Sequence, residues 1–84
     1  MLITQLIQIL NEVKNKISSE EVKNILELIE NNEFGLAYET LCTQIYEYEV
    51  SITGEFYEKI SFYGESIKIQ PFFWLPLKEL IKIK

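Results

Sequence analysis

Apolar residues recur at steps of three and four along most of this chain, which is the spacing of one face of an α-helix. The pattern predicts a first helix over residues 2–17. Its inward stripe consists of Ile3, Leu6, Leu10, Val13 and Ile17. Three more apolar residues widen this face, so we expect contacts from more than one side: Leu2, Ile7 and Ile9.

A capping box marks the start of the second helix. The Ser18 hydroxyl can accept a hydrogen bond from a free backbone N–H, and Glu21, three residues later, can reach back. We predict a helix over residues 19–32, ended by the polar triplet Asn31-Asn32-Glu33. Its inward positions are Val22, Ile25, Leu26 and Ile29.

The third and fourth helices are predicted over residues 34–49 and 54–67, with Ser51 or Thr53 able to cap the fourth. The inward face of the third helix comprises Phe34, Ala37, Tyr38, Leu41, Ile45 and Tyr48. Its opposite face carries Leu36, Glu39, Thr43, Tyr46 and Glu47. The inward face of the fourth helix comprises Phe56, Ile60, Tyr63 and Ile67.

The C-terminal segment is predicted over residues 71–83, either as one helix broken near Pro76 or as a one-turn helix followed by a second short helix ending near Ile83. Pro71 is favourable at a first helical position, whereas Pro76 would clash with the preceding turn. We expect Phe72, Phe73 and Trp74 to close one end of the core. Residues 67–70 alternate as an edge strand would, but a lone strand has no partner, so we favour the helical interpretation.

These elements predict an all-α fold, a small compact bundle of four to five helices. The 84 residues correspond to a single domain, residues 1–84, near the lower size limit for an independent hydrophobic core. Hydrophobic residues make up 48% of the chain, which is enough for such a core and argues against disorder.

Charge narrows the class of partner. The acidic residues are 13 glutamates and the basic residues are eight lysines, giving a net charge of −5, and the chain lacks Asp, Arg and His. A nucleic-acid-binding protein needs a basic surface, so we expect no direct nucleic-acid partner. An acidic protein can be steered onto a basic one, such as a nuclease. Glutamate also favours helices, which explains the same bias without any partner.

Other features favour the cytoplasm. The chain contains no run of 18 apolar residues, so we expect no membrane span. Residues 1–5 lack the basic flank and cleavage site of a secretion signal. The single cysteine, Cys42, cannot form an internal disulfide.

Catalytic equipment is missing from the residue types. Without His or Asp, acid–base work would fall to Glu, Lys, Tyr or Cys42, and the glutamates fall at solvent-facing positions. We predict that Cys42 is a buried, poorly reactive thiol, because no histidine can activate it. The three glycines are isolated and form no phosphate loop. We therefore expect no enzyme activity, no cofactor and no metal site.

The most suggestive constellation is Tyr46-Glu47-Tyr48-Glu49. Tyr46 points away from the inward stripe among carboxylates, which is typical of a protein interface. Sideways packing on a neighbouring helix is the equal alternative. Tyr57 and Glu58 repeat the composition one helix later, although a solvated face is the more ordinary interpretation. The candidate partner-binding residues are Glu39, Tyr46, Glu47, Glu49, Tyr57 and Glu58.

A family resemblance covers about half of the chain, from Leu26 to Ile69. Its strongest part is the "NNEFGLAYETL" stretch within Leu26–Cys42, followed by "YEYE" within Gln44–Glu49 and by Tyr57–Ile60 and Gly64. These motifs resemble the MafI-type immunity proteins, small helical partners of polymorphic and contact-dependent inhibition toxins. Residues 71–77 depart from the pattern of that family.

The resemblance implies a bacterial cytoplasmic protein that neutralises the C-terminal toxin domain of an effector secreted by sibling cells. Such domains are often nucleases, frequently RNases, whose basic substrate-binding surface would be occluded. No binding residue can be carried over, because immunity interfaces diverge with their toxins. The alternative is a small helical adaptor or homodimerisation module without a toxin partner. We expect a monomer or weak homodimer. Gene neighbourhood discriminates the two functions, because an immunity gene should directly follow a gene for a secreted effector or a toxin fragment.

Overall fold

The structure is a computed structural model that describes residues 2–82. Most of these residues lie in helices. Four α-helices follow one another: α1 (Leu2–Val13), α2 (Ser19–Glu30), α3 (Phe34–Glu47) and α4 (Gly54–Ser66). A 3-10 helix at Lys14–Lys16 joins α1 to α2, and two more 3-10 helices follow α4, at Pro71–Phe73 and Leu75–Leu80. The prediction of a small all-α bundle is confirmed.

The first helix is shorter than predicted. The α-helix ends at Val13 instead of residue 17, and a 3-10 turn over Lys14–Lys16 follows it. All three residues of that turn are polar and exposed, so a continued α-helix would bury no apolar side chain there. The chain extends at Ile17, with φ −126° and ψ 169°, and this brings its side chain back into the core.

Two of the predicted helix starts are confirmed by side-chain caps. The Glu21 amide donates to the Ser18 hydroxyl at 3.1 Å, and the Phe56 amide donates to the Thr53 hydroxyl at 3.0 Å. Each bond satisfies one of the free N–H groups in the first turn of a helix. These caps fix where α2 and α4 begin.

Three α-helices end in the same way, with a left-handed residue and a hydrogen bond reaching back five residues. The left-handed residues are Asn32, Glu49 and Lys68, with φ of 63°, 49° and 63°. In each case the amide of the next residue donates to the carbonyl five residues before it. These bonds are Glu33 to Leu28 at 2.9 Å, Val50 to Ile45 at 3.1 Å and Ile69 to Gly64 at 2.9 Å. This is the Schellman arrangement, here built without glycine at the left-handed position.

One continuous hydrophobic core joins all four helices and the C-terminal tail (residues 67–82). Tyr38 of α3 crosses it and donates its hydroxyl to the Ile60 carbonyl of α4 at 2.6 Å. Its ring centroid lies 5.6 Å from that of Tyr63 and 6.4 Å from that of Trp74. This aromatic cluster therefore ties α3, α4 and the tail together.

Gly64 makes room for that cluster. A Cβ at this position would lie 2.5 Å from two ring atoms of Trp74 and 2.5 Å from the Tyr38 hydroxyl. Only a residue without a side chain allows the tryptophan ring and the tyrosine hydroxyl to approach α4 so closely. The tail is thereby held against α4.

Of the two predictions for the tail, the one-turn helix followed by a second short helix is the one that the structure shows, although both pieces are 3-10 helices. The two 3-10 helices are separated at Trp74, and Pro76 is the second residue of the second one. Proline is tolerated there, because the amides of the first turn have no partner inside the helix. That second 3-10 helix ends at Leu80, and the predicted end near residue 83 lies outside the described residues.

An isolated parallel β-bridge fastens the end of the tail. The Ile52 amide donates to the Leu80 carbonyl at 3.1 Å, and the Lys82 amide donates to the Ile52 carbonyl at 2.9 Å. The alternative of an edge strand at residues 67–70 was wrong, since Lys68 there is left-handed in a turn.

Three residues predicted to lie inward are exposed instead. Leu26 is 41% exposed because it sits 100° around α2 from Ile25, which is fully buried. Tyr48 is 49% exposed, since α3 ends at Glu47 and Tyr48 follows the last helical turn. Phe72 is 65% exposed, because Trp74 rather than Phe72 fills the gap above Gly64.

Candidate partner-binding surface

An outward ridge of α3 carries the central candidate residues. Along it, Glu39, Thr43 and Tyr46 follow one another at steps of four and three residues, and Glu47 lies four residues after Thr43. Tyr46 is 46% exposed and Glu47 is exposed, as their angular positions predict, whereas Glu39 is half-buried. Tyr46 is therefore not packed away between helices.

The tail lies opposite this ridge, and α3 and the tail form the two walls of a groove of about 330 Å³. We call it the α3–tail groove; its lining residues are Cys42, Thr43, Tyr46, Glu47, Phe72, Phe73 and Pro76. The sequence interpretation missed the tail residues of this groove. Their placement depends on how the tail docks, for which the local pattern carries no signal.

Two phenylalanines of the tail, Phe72 and Phe73, form part of that wall. Phe72 and Phe73 are stacked, with ring centroids 4.4 Å apart and an interplanar angle of 28°. Phe73 is half-buried and packs against the core, whereas Phe72 is largely exposed. Phe73 thus anchors the pair and Phe72 presents its ring to solvent.

The remaining candidate residues do not join this groove. Tyr57 is half-buried and packs against the core, and burial raises the pKa of its hydroxyl. Glu58 lies on α4 in a shallow depression shared with Glu55, Lys59 and the exposed Phe62. Glu49 occupies the left-handed position after α3. Of the six candidates, the structure places Tyr46 and Glu47 on one groove.

Charge is segregated along the chain. Residues 24–58 contain eight glutamates and no lysine: Glu27, Glu30, Glu33, Glu39, Glu47, Glu49, Glu55 and Glu58. Within residues 2–82 the only ion pair joins Lys59 to Glu12 at 2.8 Å. In this described part of the chain, none of those eight carboxylates forms an ion pair with a lysine, so α3 lies in the most acidic segment of the sequence.

Cys42 lies beneath the groove as part of the core, as predicted from its position on α3. Burial raises the pKa of its thiol to about 12. Burial likewise raises the pKa of the neighbouring Tyr38 hydroxyl. Both groups are neutral near pH 7, so the floor of the groove adds no charge to that of Glu47.

A second, smaller cleft of about 190 Å³ lies between α1 and α4. Its lining residues are Gln5, Gln8, Ile9, Lys59, Phe62 and Tyr63. The Tyr63 hydroxyl is buried and has no hydrogen-bond partner among residues 2–82. Because protein atoms enclose that hydroxyl, it is not available to a molecule entering the cleft.

The side chains of residues 2–82 do not bring together three or more potential metal ligands of the His, Cys, Asp or Glu type. Over the same residues, every helix is too short or too polar to cross a bilayer. Comparison of the chain with protein-family models, with curated proteins and with solved structures found no match in any of the three.

Proposed function

We propose that this protein binds and neutralises a cognate bacterial toxin domain by covering the toxin's basic substrate-binding surface. A nuclease is the favoured class of toxin, and an RNase the favoured nuclease. The observation that carries the proposal is the α3–tail groove, where exposed aromatic rings lie beside a carboxylate that forms no ion pair with a lysine of residues 2–82. The resemblance of residues 26–69 to MafI-type immunity proteins supports the same function.

The physical chemistry of this surface suits a basic protein partner. Nuclease clefts hold phosphates with Lys and Arg, and such groups are attracted to the glutamates of residues 24–58. Exposed aromatic rings supply the apolar contact area in which binding energy concentrates at protein interfaces. Tyr46 and Phe72 provide that area next to Glu47. Inhibition would then follow from occlusion, with no reaction at the surface.

Self-association is the second candidate function, as in a helical adaptor or homodimer. It is favoured by exposed apolar side chains away from the groove, among them Leu26 and Leu36. Size-exclusion chromatography with light scattering discriminates the two. A stable dimer that Leu26→Ser and Leu36→Ser dissociate would favour self-association, whereas a monomer at all concentrations would favour a different protein as partner.

Co-expression with the toxin domain encoded next to this gene tests the proposed function. Cells that produce the toxin should survive with the wild-type protein and die without it. The triple variant Glu39→Lys, Glu47→Lys and Glu58→Lys should lose protection while keeping its helical circular dichroism spectrum. A matched reversal at Glu20, Glu65 and Glu79, exposed glutamates that lie outside residues 24–58, should leave protection intact. Full protection by the first triple variant would exclude the α3–α4 side as the interface.

A further inference from the structure

The α3–tail groove has a composition that selects among partner side chains. We propose that it receives an arginine of the partner, whose guanidinium stacks between Tyr46 and Phe72 and pairs with the Glu47 carboxylate. The inference rests on the proposed function, because it names the partner group that this surface takes. It adds a specific chemistry to a binding mode that charge alone would leave general.

Each wall of the groove carries an aromatic side chain. Tyr46 on α3 and Phe72 on the tail both line the groove, and they are 46% and 65% exposed. Phe72 is held by stacking on Phe73, which packs against the core. A ring that is already fixed loses little side-chain entropy when a ligand stacks on it. Cation–π contact with such rings favours arginine over other side chains.

Charge selects the sign of the occupant. Among the seven lining residues, Glu47 is the only ionisable carboxylate and there is no lysine. The Cys42 thiol on the floor is neutral because burial raises its pKa. An acidic occupant would be repelled, and an aliphatic one would desolvate Glu47 without compensation. A cation is the occupant that satisfies this carboxylate.

Geometry separates arginine from lysine. A guanidinium offers a planar fork of N–H donors that pairs with a carboxylate while its face stacks on a ring. An ammonium is a compact and more strongly hydrated charge, so it gains less from the two aromatic walls. The methylenes of an arginine can lie along the apolar floor near Pro76. We therefore expect the groove to prefer arginine.

Small-molecule probes test this preference without any toxin. Isotope-labelled protein would be titrated with N-acetyl-arginine methylamide, with the lysine analogue and with the neutral isostere N-acetyl-citrulline methylamide. The arginine probe should shift the amide resonances of residues 42–47 and 72–73, and bind about fivefold more tightly than citrulline, the factor that corresponds to about 1 kcal/mol. Equal shifts with arginine and lysine, or shifts spread over all acidic segments, would overturn the proposal.

Variants localise the effect to the groove. Glu47→Gln and Phe72→Leu should each weaken arginine binding severalfold, whereas Glu27→Gln, the same change on the exposed face of α2, should not. Both groove residues are exposed, so the fold should persist, and a circular dichroism spectrum checks this. If the protein neutralises the toxin but the arginine probe does not bind, the groove proposal fails and the proposed function stands. If the probe binds and no toxin is neutralised, the reverse holds.

Discussion

Replacing Gly64 by alanine is a sharp test of how the tail is held. Gly64 lies within α4 and has no positive φ, so its backbone conformation suits alanine. Helix propensity alone would make the substitution stabilising by about 0.5–1 kcal/mol. The added methyl group, however, would lie 2.5 Å from the Trp74 ring and from the Tyr38 hydroxyl.

Neither neighbour can move away without loss. Trp74 and Tyr38 are both buried, and the Tyr38 hydroxyl donates to the Ile60 carbonyl at 2.6 Å. Overpacking of a buried site costs about 1–3 kcal/mol. Losing the tyrosine hydrogen bond adds about 1 kcal/mol. After subtracting the propensity gain, we expect Gly64→Ala to lower the free energy of unfolding by about 1–3 kcal/mol.

Urea unfolding followed by the fluorescence of Trp74, the single tryptophan, measures this loss. The other two glycines are matched controls. A Cβ at Gly54 meets no atom within 4 Å, and one at Gly35 meets the Ile69 Cδ1 atom at an ordinary 3.6 Å. Both control variants should be as stable as the wild type or slightly more stable. If Gly64→Ala unfolds at the same urea concentration as Gly54→Ala, Trp74 is not packed over α4 as described.

Three further predictions concern pH, a helix end and the groove. Burial raises the folded-state pKa of the Cys42 thiol from 9.0 to about 12, so the folded protein keeps a proton that the unfolded chain loses. This stabilisation is complete below the unfolded-state pKa and is lost as pH rises from roughly 9 toward 12, by up to about 1.4 kcal/mol per pH unit. In urea unfolding over this pH range, the free energy of unfolding should therefore fall less steeply with pH for Cys42→Ala than for the wild type. Lys68→Gly should raise the free energy of unfolding by about 0.5–1 kcal/mol, because glycine adopts the left-handed conformation without strain; an unchanged urea midpoint would contradict the Schellman assignment. In toxin binding, Tyr46→Ala should speed dissociation, at a cost of about 2 kcal/mol, and Glu47→Lys should weaken binding more than Glu47→Gln. Surface plasmon resonance measures both effects, and equal affinities for the two Glu47 variants would exclude a basic group opposite it.

The helical core was predictable because its signals are local. Buried positions such as Ile25, Leu41 and Ile60 follow the helical period, and Ser18 and Thr53 are favourable caps whose hydrogen bonds form. The ends of the helices were less predictable. Glu49 and Lys68 adopt left-handed conformations that ordinarily select glycine or asparagine, so no residue type marks them.

The candidate site was predictable only on one side. The angular position of Tyr46 on α3 predicts its exposure, and the structure confirms it. The facing ring of Phe72 follows instead from a tertiary contact, the docking of Trp74 over Gly64, which turns the rest of the tail toward α3. Such a contact between distant segments has no periodic signature in the chain.

We expect a basic protein partner to bind the acidic face of α3 and the α3–tail groove. The most direct measurement is the association rate of the purified protein with the toxin domain that it is proposed to neutralise, recorded by stopped-flow fluorescence over a series of salt concentrations. We predict fast association at low ionic strength that slows steeply as salt screens the glutamates, with a smaller change in the dissociation rate. Association that is independent of salt, or unchanged by Glu47→Lys, would contradict the account.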